Sequence, residues 1–375
     1  MRILRCLVAA AIPALAAGCT NTPHVASLQD SFGGDVFAAF AGNPNGLSTP
    51  YVEGSKFKIT VQPGGNADST GWVLKSSDPT VMTVGSAPES GTEDWQVTAM
   101  GAGHATLTVL DSSGKQLDSE GIDVDVPTSV QLCAQGLLLT GFTDTQATVT
   151  SIRVVSGGTG TFLVRYFAGS QELAGNNALR PTGSGVATAS AVAANFSVRD
   201  FLEVTATDMG SGSVTLGVGQ TQTPVAVEAV DPSAVAAVGL FKQSDSNAKK
   251  GDTLYVYGRA TDSQASDIFG ASFVWDVNGT PLPAHPMFVG GPTDLLTYQF
   301  DPSQSETVGD SLGTMSASGQ VHGAPVTTTE ASTQNVGCSV ARGAGAGGGA
   351  GVAGVGLFAA AVALMVSRRR RAARA

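Results

Sequence analysis

From Phe57 onward the chain alternates between apolar and polar positions. Phe57, Ile59 and Val61 are separated by Lys58 and Thr60, the period-two pattern of a strand with one dry and one wet face. Pro63-Gly64-Gly65 closes that run with a turn. A longer stretch, Trp72-Val73-Leu74-Lys75-Ser76-Ser77-Asp78-Pro79-Thr80-Val81-Met82-Thr83-Val84, carries Asp-Pro at its middle. Pro fixes φ there and starts a turn, so two strands are expected on either side. Gln96 to Val109 reads as two more strands joined at Gly101-Ala102-Gly103, and a last one falls near 122–126. Trp72 is expected on the inner face, where its ring supplies a large core area.

The pattern recurs downstream. Phe162, Val164 and Tyr166 alternate as a strand. Val97-Thr98-Ala99-Met100-Gly101-Ala102-Gly103-His104-Ala105-Thr106-Leu107 can be set against Val204-Thr205-Ala206-Thr207-Asp208-Met209-Gly210-Ser211-Gly212-Ser213-Val214-Thr215-Leu216, with two inserted residues and an offset of 107 at the opening valines. Such an internal repeat predicts two copies of one unit. Beyond Asp231-Pro232, Leu254-Tyr255-Val256-Tyr257 and Ser272-Phe273-Val274-Trp275-Asp276-Val277 read as strands of a third unit. Asn278-Gly279 makes a hairpin turn after the second of them. Thr297 to Phe300 and 313–321 suggest later strands, and Trp275 is expected in the core.

Trp72, Asp78, Pro79, Val81, Val84, Val97, Gly101, Gly103, Ala105 and Leu107 stand where the group 2 bacterial immunoglobulin-like domain (BIG2) carries its Trp, its Ser-Ser-Asp-Pro turn, its Val-Thr-Ala strand and its Gly-x-Gly turn. Residues 48–127 resemble that family, which implies an immunoglobulin-like β-sandwich. The offset of 107 is about one such domain. A second sandwich is expected over 128–232, although its front half has neither the Trp nor the Ser-Ser-Asp-Pro turn. A third is expected over 233–335. The fold class expected is therefore all-β, tandem immunoglobulin-like β-sandwiches.

The two ends change the picture. Arg2 and Arg5 followed by the short apolar run 6–17 read as a secretory leader, 1–18, too short to span a bilayer. Leu15-Ala16-Ala17-Gly18-Cys19 resembles a bacterial lipobox, with Ala16 where Leu is usual. The resemblance implies lipidation of Cys19, and ordinary cleavage after Ala16 or Ala17 is the alternative. Residues 19–47, rich in Asn, Gly, Ser and Pro, read as a flexible tether. At the other end Cys338 precedes a Gly/Ala run, an apolar stretch over 350–366 and Arg368, Arg369, Arg370 and Arg371. A 17-residue helix covers about 25 Å, enough for a thin bilayer, and the Arg cluster holds its far end in the cytoplasm. The segment 336–375 resembles the C-terminal sorting tag of myxobacterial surface proteins (the MYXO-CTERM type). That resemblance implies a signal peptidase and a sorting protease acting near Cys338 as partners, and display on the outer surface. A plain single-span anchor is the alternative.

Charge follows the same division. Of 20 Lys and Arg residues, eight lie in these two ends, leaving 12 against all 30 Asp and Glu in the body. Such a body repels phosphate backbones, so nucleic acid is excluded as a partner. Cys133 is the sole cysteine of the body, and no disulfide framework is expected.

Chemistry is sparse. His24, His104, His285 and His322 lie far apart. The sequence has no His-Glu-x-x-His and no phosphate-binding Gly-rich loop ending in Lys-Ser/Thr. Asp118, Glu120, Asp123 and Asp125 alternate along one strand and read as a solvated face, with Ca²⁺ binding as the alternative. Trp95 is the candidate platform for stacking a sugar, although a partly buried position at a strand start is the favoured reading. No cofactor and no catalytic residue are expected. The reading is a non-catalytic cell-envelope protein, a structural spacer or adhesion module whose partners are envelope or matrix components. A carbohydrate-binding protein is the first alternative, and an envelope hydrolase with an unfamiliar site the second.

Overall fold

The computed structural model describes residues 26–30, 47, 49–63, 68–192, 199–243, 253–277, 280–282, 294–299, 315–321, 324–328 and 331–333. The leader, Cys19, Cys338, the stretch 350–366 and Arg368 to Arg371 lie outside them. Among the described residues no helix is long and apolar enough to cross a membrane.

The first sandwich comprises β1 (Ala26–Asp30), β2 (Tyr51–Val52), β3 (Lys56–Pro63), β4 (Val73–Ser76), β5 (Met82–Val84), β6 (Asp94–Ala99), β7 (Gly103–Leu110) and β8 (Gln116–Asp125). One sheet has the order β1-β3-β6-β5, and the other β2-β8-β7-β4. The alternation dictates which side chains meet. Phe57, Ile59, Val61, Trp95, Val97 and Ala99 from one sheet share a core with Ala105, Leu107, Val109, Ile122 and Val124 from the other. The Asp78-Pro79 turn is fixed by its own carboxylate, which accepts from the Thr80 amide at 2.9 Å. β1 falls inside the stretch read as tether, and pairs antiparallel with β3 from Ala26↔Pro63 to Asp30↔Ile59.

The second sandwich repeats this wiring with β9 (Ser129–Ala134), β10 (Thr148–Val149), β11 (Ser151–Val155), β12 (Thr159–Ala168), β13 (Gln171–Leu173), β14 (Arg180–Gly185), β15 (Ala187–Val192), β16 (Phe201–Ala206), β17 (Gly210–Val218) and β18 (Thr221–Val230). The path β9-β12-β16-β15 matches β1-β3-β6-β5, and β11-β18-β17-β14 matches β2-β8-β7-β4. β11 runs parallel to β18 just as β2 runs parallel to β8. The sequence repeat is therefore a structural one, but without the two inserted residues. β6 and β16 start at 94 and 201, and β7 and β17 at 103 and 210, so the offset of 107 holds through the turn. The Met-Gly-x-Gly likeness is two residues out of structural register.

Two short helices lie between β9 and β10. α1 (Gln135–Leu139) buries Leu137, Leu138 and Leu139. α2 (Asp144–Ala147) opens with a capping box between Thr143 and Gln146.

The third sandwich comprises β19 (Ala237–Lys242), β20 (Thr253–Thr261), β21 (Asp267–Ile268), β22 (Phe273–Val277), β23 (Thr280–Leu282), β24 (Leu295–Gln299), β25 (Met315–Val321), β26 (Ala324–Thr328) and β27 (Ala331–Thr333). Its sheets are β21-β20-β19-β27, with β24 also on β20, and β23-β22-β25-β26. Trp275 lies in a central strand, buried, with Phe273 stacked 5.8 Å away. β22 and β23 pair at Val277↔Thr280. That register leaves room for the two-residue turn expected at Asn278-Gly279, which itself lies outside the described residues. The chain is thus all-β, in tandem immunoglobulin-like sandwiches.

Candidate functional site

The features that distinguish this chain from three loosely strung sandwiches are its joints. At the first, the two sandwiches exchange core residues. Val52 of β2 is fully buried in the core of the second sandwich, and Ala174 of the second is buried in the core of the first. Burying one Val removes about 1.5–3 kcal/mol of apolar exposure. Backbone bonds frame the exchange. Val52 donates to the Ala174 carbonyl at 2.7 Å, Ala174 to that of Pro50 at 2.8 Å, and Lys56 to that of Asn176 at 2.7 Å. Gly175 lies between these contacts with φ of 152°, and a β-carbon there would sit 2.4 Å from a Val52 methyl and 2.8 Å from Ser55 Cβ. Only glycine admits that approach.

The loop that makes this joint is held from below by a buried carboxylate. Asp200 is 1% exposed. Its oxygens accept from the amides of Asn177 at 2.7 Å, Ala178 at 3.0 Å and Leu179 at 2.9 Å, and from the Tyr166 hydroxyl. Burial pushes the Asp200 carboxyl up, while the bonds from Tyr166 and the three amides oppose that shift. Asn177 takes a positive φ of 62° within the same loop. Glu172, on β13 beside it, is bridged by Arg165 at 2.6 Å and Arg199 at 2.8 Å.

The second joint is built from side chains as well as backbone. Val155 donates to the Phe269 carbonyl at 2.9 Å, and Phe269 to that of Arg153 at 2.8 Å. The Phe269 ring meets Phe162 edge-on at 4.8 Å, and Phe241 meets Phe142 likewise at 5.0 Å. Tyr257 lies so close to α1 that a β-carbon on Gly136 would fall 2.1 Å from its ring. Arg153 pairs with Asp262 across the joint and with Glu228 within its own sandwich at 2.9 Å. Tyr255, Tyr257, Phe269 and Leu295 of the third sandwich belong to the same core as the second. β12 connects the two joints, with Phe162 toward one end against Phe269 and Tyr166 toward the other on Asp200.

A cleft opens at the opposite end of the first sandwich. The first joint takes the start of β3 and the end of β8. Since Thr60 pairs with Asp94 and Val73 with Leu110, the end of β3, the starts of β4 and β6 and the end of β7 all lie at the far tip. There Val61, Ser69, Trp72, Pro88, Glu93 and Trp95 are among the residues lining a shallow, open cleft.

The candidates read from the sequence fall out as follows. Both tryptophans of the first sandwich pack in or against its core. Trp95 is 3% exposed, because it sits on the inward side of β6 opposite Ile59. Trp72 is only half-buried at the cleft. It precedes β4, so alternation does not fix its face. Cys133 is buried in the second sandwich, and burial pushes its thiol up. His104 is exposed and pairs with Asp123 at 2.7 Å. Glu120 and Asp123 are exposed along β8, and among the described residues no three His, Cys, Asp or Glu side chains form a metal-sized group. The joint residues Gly175, Asp200 and Gly136 were not anticipated. A lone Asp just ahead of a strand carries no pattern of its own, and each glycine gains meaning only from what packs on it.

No protein-family profile matches the chain, and no characterised protein matches it in sequence. In structure it is similar to surface layer protein SbsC, domains 4–9, at 15% identity and TM-score 0.31, over 81% of this chain and 47% of that one. It is also similar to FdeC, an Escherichia coli adhesin, at 13% identity and TM-score 0.23, over 76% of this chain and 94% of that one. A third likeness is to the D00-D0 domain of intimin, at 14% identity and TM-score 0.20, over 55% of this chain and 100% of that one.

Proposed function

We propose that this chain is a non-catalytic module of the bacterial cell surface, a stiff spacer that carries an adhesive end away from the envelope. The observation that carries the reading is the pair of joints. Domains joined by linkers move relative to one another unless the interface between them is large and apolar. Here core residues cross one joint, and a single core spans the other. Such a construction transmits orientation and force, which a surface spacer needs and a string of loosely tethered binding domains does not.

The ends complete the reading. Cys19 is the lipidation or processing position of a leader ending at residue 18. The segment 336–375 acts as a MYXO-CTERM-type sorting tag, with a sorting protease acting near Cys338 and Arg368 to Arg371 halting transfer. The first sandwich is a group 2 bacterial immunoglobulin-like domain on its motif residues. The acidic body, with 12 basic against 30 acidic residues, faces outward and takes no cofactor. Two experiments test this. Mass spectrometry of the protein from its native envelope is expected to find termini at Cys19 and near Cys338. Deletion of residues 48–335 is expected to reduce attachment or weaken the envelope. Unprocessed protein in the cytosol would contradict the reading, as would deletion strains with unaltered adhesion and envelope integrity.

A further inference from the structure

We propose that the cleft at the tip of the first sandwich far from the first joint is a binding site for a pyranose ring of a neutral glycan. The proposal rests on the surface-module reading for its setting and on the cleft itself for its chemistry. The floor is aromatic and aliphatic, made by Trp72, Trp95, Val61 and Val109, and the rim carries Pro88, the Ser69 hydroxyl and the Glu93 carboxylate. A pyranose has that same division. One face of the ring presents C–H groups, which pack on an indole, and its edge presents hydroxyls, which donate to a carboxylate. Glu93 is exposed and Trp72 half-buried at the cleft. The adjacent Thr92 hydroxyl is already engaged, since it donates to the Glu89 carbonyl at 3.0 Å and accepts from the Asp94 amide at 3.2 Å.

Both walls are braced before any ligand arrives. On one side the Trp72 amide bonds the Ser69 carbonyl at 3.1 Å, and Thr70 donates to the Asp68 carboxylate at 2.9 Å. On the other, Val61 donates to the Glu93 carbonyl at 3.0 Å, and Thr92 to that of Glu89 at 3.0 Å. A cleft formed in advance loses little entropy on binding. Charge selects among sugars. The cleft carries Glu93 on a strongly acidic body, so uronates and sulfated sugars are repelled and neutral ones are not. A dry apolar side chain from a protein partner would leave the Glu93 carboxylate to be desolvated without a donor.

The test uses the full chain against immobilised neutral hexasaccharides of glucose, xylose and N-acetylglucosamine, with a hexuronate and a Leu-rich peptide as comparators. At least one neutral sugar is expected to be retained at millimolar concentration, and neither comparator. Trp72→Ala is expected to weaken retention about tenfold, a change of about 1.4 kcal/mol, and Glu93→Gln by a smaller factor. Val274→Ser, exposed on the third sandwich, is expected to change nothing. Because Trp72 also packs against the core, the exposed Glu93→Gln and the shape-keeping Trp72→Phe serve as variants that fold. Retention of no neutral sugar, preference for the hexuronate, capture of the peptide alone, or sugar binding indifferent to both Trp72→Ala and Glu93→Gln would each overturn the proposal. Sugar loss in Trp72→Ala with attachment of cells unchanged would support the site while removing it from adhesion. Normal attachment by cells lacking all three sandwiches, with sugar binding intact in the purified chain, would overturn the surface reading and leave the cleft standing.

Discussion

The two joints solve the same problem with different materials. The first exchanges small residues, Val52 for Ala174, and relies on backbone bonds around Gly175. Its rigidity is borrowed from Asp200, which lies inside the second sandwich and never touches the first. The second joint uses large rings and charges that meet across it, Phe269 on Phe162, Tyr257 on Gly136 and Arg153 on Asp262. The difference teaches that a joint can be stiff by being fused to a neighbouring core or by having its loop pinned from within. The first kind is spread over many contacts. The second concentrates its dependence on one carboxylate.

That contrast can be broken at its weakest point. Asp200→Ala leaves three buried amides and the Tyr166 hydroxyl without an acceptor, and each such loss costs about 1–3 kcal/mol. A total of at least about 4 kcal/mol is expected, read by urea unfolding, with Asp200→Asn milder because one oxygen remains. Hydrogen exchange should then show the Val52 and Lys56 amides released while the Val155 and Phe269 amides keep their protection. Loss of protection at both joints alike would mean that the two are not separately built.

Next in size are the glycines. Gly175→Ala and Gly136→Ala each force a β-carbon to under 2.5 Å from a neighbour, an overpacking worth about 1–3 kcal/mol. Gly175→Ala is expected to free the first joint alone and Gly136→Ala the second alone, seen as exchange or proteolysis confined to one junction. Arg153→Met is expected to loosen the second joint slightly, and the difference from the parent should shrink at high salt.

The smallest effect sharpens the electrostatics. At Glu172 burial pushes the carboxyl up, but the bond from Arg165 and the charges of Arg199 and Arg165 outweigh it and hold the group below 4.5. A carboxyl lowered in the fold contributes stability above its unfolded value and loses it as pH falls through the folded one. Acidification below about pH 4.5 is therefore expected to cost the parent about 1 kcal/mol more than Glu172→Gln, measured by thermal unfolding across pH. Asp200, shifted the other way, contributes with the opposite sign.

Much of this was legible in the residues. The alternation of Phe57, Ile59 and Val61 gave a strand and its buried face, the 107-residue offset gave the repeat, and Trp275 gave the third core. The reason is physical, since period-two burial is written directly into side-chain type. The joints were not legible. α1 is five residues long, too short for a 3.6-residue period to declare itself, and Leu137-Leu138-Leu139 reads equally as a strand. Val52 and Ala174 look like ordinary strand residues, and nothing local says that each belongs to the other's core.

The central claim is that three sandwiches act as one body. Amide hydrogen exchange on the full chain tests it most directly, at Val52 and Phe269. Both are expected to exchange as slowly as Val164, in the middle of the second sandwich. Exchange at either amide as fast as in an exposed turn, with Val164 still protected, would show independent domains on flexible links and would contradict the account.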